Sequence, residues 1–214
     1  MTVNPGQALT DAAEQHGGRV DRHGDHDRWW VTDPDSSVED AAAHLGLVET
    51  RRLHQMRRPL PADGDPTPTR AFDPDTDADA WLAINNAAFA WHPDQGGWTR
   101  ADLDARMAEP WFDADGFRIA TDADGTMTGF CWTKVHTEED PPAGEIYVIA
   151  VAPAHVGEGL GTGLTLAGLD WLWTHRHTPV GLLYVEAENT RALATYRRIG
   201  FEVAATDVAF EPPT

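Results

Sequence analysis

From residue 77 onward the apolar positions change period repeatedly, and each change marks an element. "DADAWLAINNAAF" has apolar residues at helical spacing, and "TRADLDARM" opens on Thr99 as an N-cap with Asp102 three residues on. Helices are therefore expected at 77–89 and 99–109. "GFRIATD" and "TMTGFCWTKVH" read as strands joined by a tight turn at Ala123-Asp124-Gly125. "GEIYVIAV" is nearly continuous in apolar residues, the mark of a central strand. After a glycine-rich loop come a helix ("LTLAGLDWLWTH"), a buried strand ("GLLYVEA"), a helix closed by Gly200 ("NTRALATYRRIG") and a strand ("FEVAATDVAF"). A meander followed by strand, helix and strand predicts a mixed α/β domain.

Before residue 77, "RRPLPADGDPTPTR" (Arg57–Arg70) is too rich in proline to continue a helix and reads as a linker. Laying the chain on itself at an offset of 154 places 30–56 over 184–210 without a gap. Val31 falls on Val185, Asp35 on Asn189, Leu45-Gly46-Leu47 on Ile199-Gly200-Phe201, and Met56 on Phe210. Few residues are identical, but the order of strand, polar cap, helix, closing glycine and strand agrees. The expected organisation is a truncated, degenerate half-domain (1–60), a linker (61–67) and a complete domain (68–214).

Composition narrows the partners. The formal net charge of -19 opposes a nucleic-acid partner, which needs a basic face. Lys134 is the only lysine, so arginine carries nearly all the positive charge. No apolar run reaches the ~20 residues of a membrane helix, and the N-terminus has no basic segment followed by an apolar one. A lone Cys131 cannot form an intrachain disulfide. A cytoplasmic, monomeric protein without nucleic-acid or membrane partners is expected.

Three segments carry candidate chemistry. "VAPAHVGEGLGTG" (Val151–Gly163) runs from the central strand through glycines to a helix N-terminus, where amides and the dipole suit a pyrophosphate. An ordinary strand-to-helix connection would use similar glycines. In "AGEIYVIAV" Glu145 opens the apolar strand as a candidate general base, and alternation puts Glu145, Tyr147, Ile149 and Val151 on one face. A solvated strand-end charge is the plainer reading. "NTRALATYRRIGF" has Asn189 as cap and Tyr196 on the same helix face, where a tyrosine by itself suits a core as well as a catalyst.

In this order the segments resemble the GNAT superfamily of acyl-CoA-dependent N-acetyltransferases over roughly 68–211. More narrowly, "INNAAFAWHPDQGGWT", "FCWTKVH", "GLGTGLTLAGL" and "LLYVEAENTRALATYRRIGF" resemble the C-terminal domain of the mycothiol synthases, which acetylate the cysteinyl amine of desacetylmycothiol. That family has two GNAT domains in tandem, the first degenerate, in keeping with the half-repeat. The resemblance implies a GNAT fold with acetyl-CoA as co-substrate. Its pantetheine would pair with Ile149 and Val151, and its pyrophosphate would lie on Val156, Gly157, Glu158, Gly159, Leu160 and Gly161, with Asn189 also on the cofactor side. Glu145 would deprotonate the substrate ammonium, Tyr196 would protonate the departing thiolate, and transfer would be direct. Asn86, His92, Gln95, Trp98, Trp132 and Lys134, with Asn85 and His136 beside them, are candidates for the polar amine substrate. No histidine has metal-ligand spacing, so no metal is expected. Two positions depart from the family loop: Val156 replaces Gln or Arg, and Glu158 replaces a common arginine. Two other readings remain open: a GNAT enzyme for another small primary amine, and a catalytically reduced acyl-CoA-binding module.

Overall fold

The computed structural model describes residues 5–14, 20–22, 28–92 and 95–213. Pro93 and Asp94 of the segment "HPDQ" lie outside these residues. The chain forms two compact units. The first comprises 1–56, 184–194 and 202–214, and the second 57–183 and 195–201.

The second unit contains β4 (Arg70–Ala71), α3 (Ala78–Ala88), α4 (Arg100–Met107), β5 (Phe117–Thr121), β6 (Met127–His136), β7 (Ala143–Val151) and α5 (Leu160–Arg176). It also holds the opening residues of β8 (Val180–Glu186). Its strand order is β8-β7-β6-β5-β4, with β7 and β8 parallel and the other pairs antiparallel. The helix starts follow the expected chemistry. Thr99 and Asp102 form a reciprocal capping box on α4, which satisfies two of the amides that a helix start leaves free. One core of this unit joins α3 and α4 to β5–β7: Trp81, Leu103, Phe117, Phe130 and Trp132 are fully buried, and Trp132 stacks on Phe117 at 4.4 Å. α5 packs on the strands through small residues, since a Cβ on Gly168 would lie 2.5 Å from Cys131 Sγ. The proline-rich linker is itself packed. Thr67 N donates to Gly163 O (3.1 Å), and a Cβ on Gly64 would meet Leu166 Cδ1 at 2.8 Å.

The first unit contains α1 (Pro5–Glu14), β1 (Val20–Arg22), β2 (Trp29–Thr32), α2 (Ser36–His44) and most of β3 (Val48–Pro59). The end of β8, the start of α6 (Thr190–Arg198) and β9 (Glu202–Glu211) complete it. Its strand order is β1-β2-β9-β3-β8. α2 and α6 are each nine residues long and begin 190 − 36 = 154 positions apart. Gly46 and Gly200, also 154 apart, both take positive φ (72° and 87°), the backbone region that closes a helix most easily with glycine. Asp33 N donates to Thr206 O at 2.7 Å, and Ala187 N donates to Arg52 O at 2.8 Å. Adding 154 to 33 gives 187, and subtracting it from 206 gives 52. Leu9, Val31, Val38, Ala42, Val208 and Phe210 form the core of this unit.

Candidate active site

β7 carries the centre of the site, and its geometry departs from simple alternation. The register with β6 shifts between Trp132 and Thr133: Thr133 lies opposite Ile146, whereas Trp132 lies opposite Val148. One extra residue, Tyr147, is therefore accommodated, as in a β-bulge. Before it, Ile146 faces α5, where it stands beside Gly168. After it, Val148 and Ala150 belong to the aromatic core under α3. The side chain of Val151 lies toward α5, 3.8 Å from a Cβ on Gly161. The expectation that Glu145, Tyr147, Ile149 and Val151 share one face is thus corrected: the bulge divides them.

Glu145 is buried, only 6% exposed. Its Oε2 is 2.7 Å from Nε2 of His136, and the other ring nitrogen, Nδ1, is 3.2 Å from Oε1 of Glu138. The hydrogen bond to Glu145 raises the pKa of His136, with burial as the principal opposing influence. Lys134 lies directly opposite Glu145 across the ladder. Its Nζ is 5.0 Å from the Trp111 ring centroid and 5.9 Å from that of Tyr147. The Tyr147 ring also meets Trp111 edge-on at 4.9 Å, and burial raises its phenol pKa. A carboxylate, a cation and aromatic faces thus adjoin on one stretch of strand, a setting suited to a polar amine.

The ladder between β7 and β8 runs from Ala143↔Val180 to Ile146↔Leu183 and ends there. Beyond it, the strand continues through Ile149 and Val151 into a short 3-10 turn, Pro153–His155. Gly157 and Gly159 take φ of 101° and 83°, and an added Cβ at either would meet nothing within 4 Å. These glycines serve backbone shape rather than space. Gly159 is the N-cap of α5 and has no side chain to cap it. Among the described residues, the amides of Gly157, Gly159, Leu160 and Gly161 donate to no protein acceptor. A phosphate group fits that arrangement. The adjacent cleft, about 550 Å³, is lined by Asp65, Asp122 and Glu158 as well as by the loop. Glu158 is exposed, and one of its oxygens is 3.1 Å from His155 Nδ1. Val156 is exposed too.

Tyr196 is half-buried near the end of α6, edge-on to Phe201 at 5.9 Å. Burial first, and the neighbouring Cys131 second, push its phenol up to about 12. It is therefore protonated at neutral pH and able to donate. Asn189 caps the same helix, its Oδ1 accepting from Ala192 N at 3.1 Å. Cys131 is fully buried, and desolvation pushes its thiol up to about 12, which removes it as a nucleophile.

The model of the acetyltransferase (GNAT) family matches residues 80–201. The chain belongs to the GNAT acetyltransferase family. Mycothiol acetyltransferase of Acidimicrobium ferrooxidans is 46% identical over 210 residues, 94% of this chain and 66% of that protein. The Mycolicibacterium gilvum mycothiol acetyltransferase is also 46% identical, over 218 residues, 96% of this chain and 68% of its own. The chain thus spans about two thirds of the length of these relatives. Among solved structures, a GCN5-related N-acetyltransferase from Sphaerobacter thermophilus shares the fold with TM-score 0.65 and 22% identity, covering 82% of this chain and 56% of the other.

Within this GNAT domain, the remaining sequence-selected residues divide. Lys134 adjoins Glu145 as described. Trp132 is 0% exposed, so it supports the site from within the core and offers no surface to a substrate, a correction to its expected role. The Asn86 amide is committed to backbone: Nδ2 donates to Trp98 O and Oδ1 accepts from Trp98 N. Asn85 Nδ2 donates to Gln95 O, and Gln95 N donates to His92 Nδ1. These polar residues shape the loop between α3 and α4. Trp98 is half-buried, with the Arg106 guanidinium 5.8 Å from its ring centroid. Asp65, Asp122, Arg106 and Trp111 escaped sequence reasoning because only tertiary packing brings them to the loop or to Tyr147. Among the described residues, no group of three or more His, Cys, Asp and Glu side chains is placed to hold a metal.

Proposed function

We propose that this GNAT chain is an acetyl-CoA-dependent N-acetyltransferase of the mycothiol synthase type, acetylating the cysteinyl amine of desacetylmycothiol. The observation that carries the reading is the buried Glu145 beside Lys134 and the aromatic rings, on the strand that leads into the uncapped α5 N-terminus. The mycothiol acetyltransferase relatives support the choice of amine.

When bound, acetyl-CoA supplies a thioester carbonyl as the acetyl donor. The amides of Gly157, Gly159, Leu160 and Gly161 would hold its pyrophosphate, with Val156 and Glu158 at the rim and Asn189 shaping the α6 start. Ile149 and Val151 would offer backbone groups to its pantetheine. Glu145 takes a proton from the substrate ammonium, because a protonated nitrogen has no lone pair with which to attack. Tyr196 gives its phenolic proton to the departing thiolate. His92, Gln95, Trp98 and Lys134 would bound the polar end of the amine, and Asn86 would hold Trp98 in place. We also propose that 1–60 is a reduced copy of the later motif, supported by the 154-residue spacing of α2 and α6 and of their closing glycines.

The test is turnover with acetyl-CoA and desacetylmycothiol, read as CoA release against a panel of other small primary amines. The expected result is preference for desacetylmycothiol, with Tyr196→Phe lowering kcat and leaving acetyl-CoA affinity unchanged. CoA release with a different amine alone would move the enzyme to that substrate. Acetyl-CoA binding without turnover would make it a binding module.

A further inference from the structure

The Glu145 carboxylate is held from one side only. His136 Nε2 occupies its Oε2 at 2.7 Å, and no other side-chain donor meets it among the described residues. His136 is largely buried, whereas Glu138, at its other nitrogen, is exposed. The ring therefore bridges an interior carboxylate and a solvated one. Lys134, two residues before His136 on the same strand, and the Tyr147 phenol, which also feels the Glu145 charge, are further titratable neighbours.

We propose that His136 is a positioning residue for the acetyl transfer: by binding Oε2 it keeps Glu145 ionised and turns Oε1 toward the amine as the basic atom. This rests on the reading of Glu145 as general base. A buried carboxylate without a donor holds its proton more tightly, and a protonated acid cannot take one from an ammonium group. A charge-assisted hydrogen bond from the ring favours the ionised form. Two carboxylates facing the two ring nitrogens favour the doubly protonated imidazole, Lys134 and burial oppose it, and the balance lies with the carboxylates. The same contact fixes orientation, since an oxygen occupied by N–H is the poorer base.

Losing the ring takes from the buried carboxylate the one side-chain donor it meets among the described residues, so the acidic limb of kcat/KM moves to higher pH. The experiment measures pH-rate profiles with acetyl-CoA and desacetylmycothiol for the intact protein and for Glu145→Gln, His136→Phe and His136→Gln. Alongside them, the imidazole titration of His136 is followed by NMR in the intact protein and in Glu145→Gln. For His136→Phe the limb is expected to move up by about one pH unit, a rate loss of about tenfold at pH values below it, with KM for acetyl-CoA unchanged. His136→Gln retains an N–H donor and should move the limb less. His136 should titrate above its ordinary value of about 6.5 in the intact protein and fall in Glu145→Gln. A His136 titration that ignores Glu145 overturns the inference, even if His136→Phe does not fold. So does an unmoved limb in His136→Phe when Glu145→Gln has lost turnover. Retained turnover in Glu145→Gln instead defeats the reading of Glu145 as base, and with it this role for His136.

Discussion

Glu158 shows how far a single residue can be read. Its departure from the usual loop composition was plain in "VGEGLGTG", and the structure places its side chain exposed at the rim of the cleft beside α5. The sequence did not reveal that Asp65 and Asp122 line the same cleft, because only the packing of the linker and the β5–β6 turn brings them there. A polyanion at the α5 amides would be attracted by them and repelled by these three carboxylates. Glu158→Arg replaces one repulsive charge by an attractive one. At exposed positions such a change is worth about 1 kcal/mol, or roughly fivefold in affinity. Calorimetry should show acetyl-CoA binding more tightly to Glu158→Arg at low ionic strength, with the gain shrinking as salt screens the pair. Equal affinities at low salt would mean that the loop does not face the phosphates. His136 was legible only as a polar residue near the site; its pairing with Glu145 depends on strand register, which residue types do not encode.

Among the elements, those with a strong chemical signature were legible and those defined by register were not. Thr99 with Asp102 started α4 as expected, and Gly200 ended α6. The bulge at Tyr147 had no such signature, because "EIYVIAV" satisfies a buried strand equally well with or without an extra residue. α5 offers a test of how closely helix and strands approach. Gly168→Ala should gain about 1 kcal/mol from helix propensity alone. The new Cβ, however, would stand 2.5 Å from Cys131 Sγ and 2.8 Å from Ile146 Cδ1, side chains that are themselves buried. Overpacking of this kind costs about 1–3 kcal/mol, so the steric cost prevails. Thermal unfolding of Gly168→Ala should occur a few degrees lower, about 2–4 °C for each kcal/mol lost. Gly161→Ala, with only Val151 Cγ2 at 3.8 Å, serves as the control and should not lower the transition. A Gly168→Ala protein as stable as its parent would show that α5 can lift from the strands without cost.

For the molecule as a whole, composition governs what no single contact explains. The α/β class and the GNAT order were legible because hydrophobic period and turn chemistry agreed across most of the chain. The membership of the first unit was less so, since it draws together 1–56 and the segments 184–194 and 202–214. Over both units lies a formal net charge of -19 at neutral pH. Such an excess destabilises the compact state by self-repulsion, whereas exposed ion pairs such as Arg52–Glu49 and Arg100–Asp104 return little, because solvent screens them. Salt screens both kinds of interaction, as the Debye length falls from about 10 Å at 0.1 M to about 3 Å at 1 M. Repulsion among many carboxylates acts over longer distances than a few close pairs, so it is the larger loss on screening. The unfolding temperature should therefore rise with NaCl across that range. The rise should be smaller near pH 5, where partial protonation of the carboxylates and charging of histidines reduce the excess. A transition that falls with NaCl at neutral pH would assign the dominant electrostatic role to the ion pairs, and one that rises equally at both pH values would assign the effect to burial of apolar surface instead of charge.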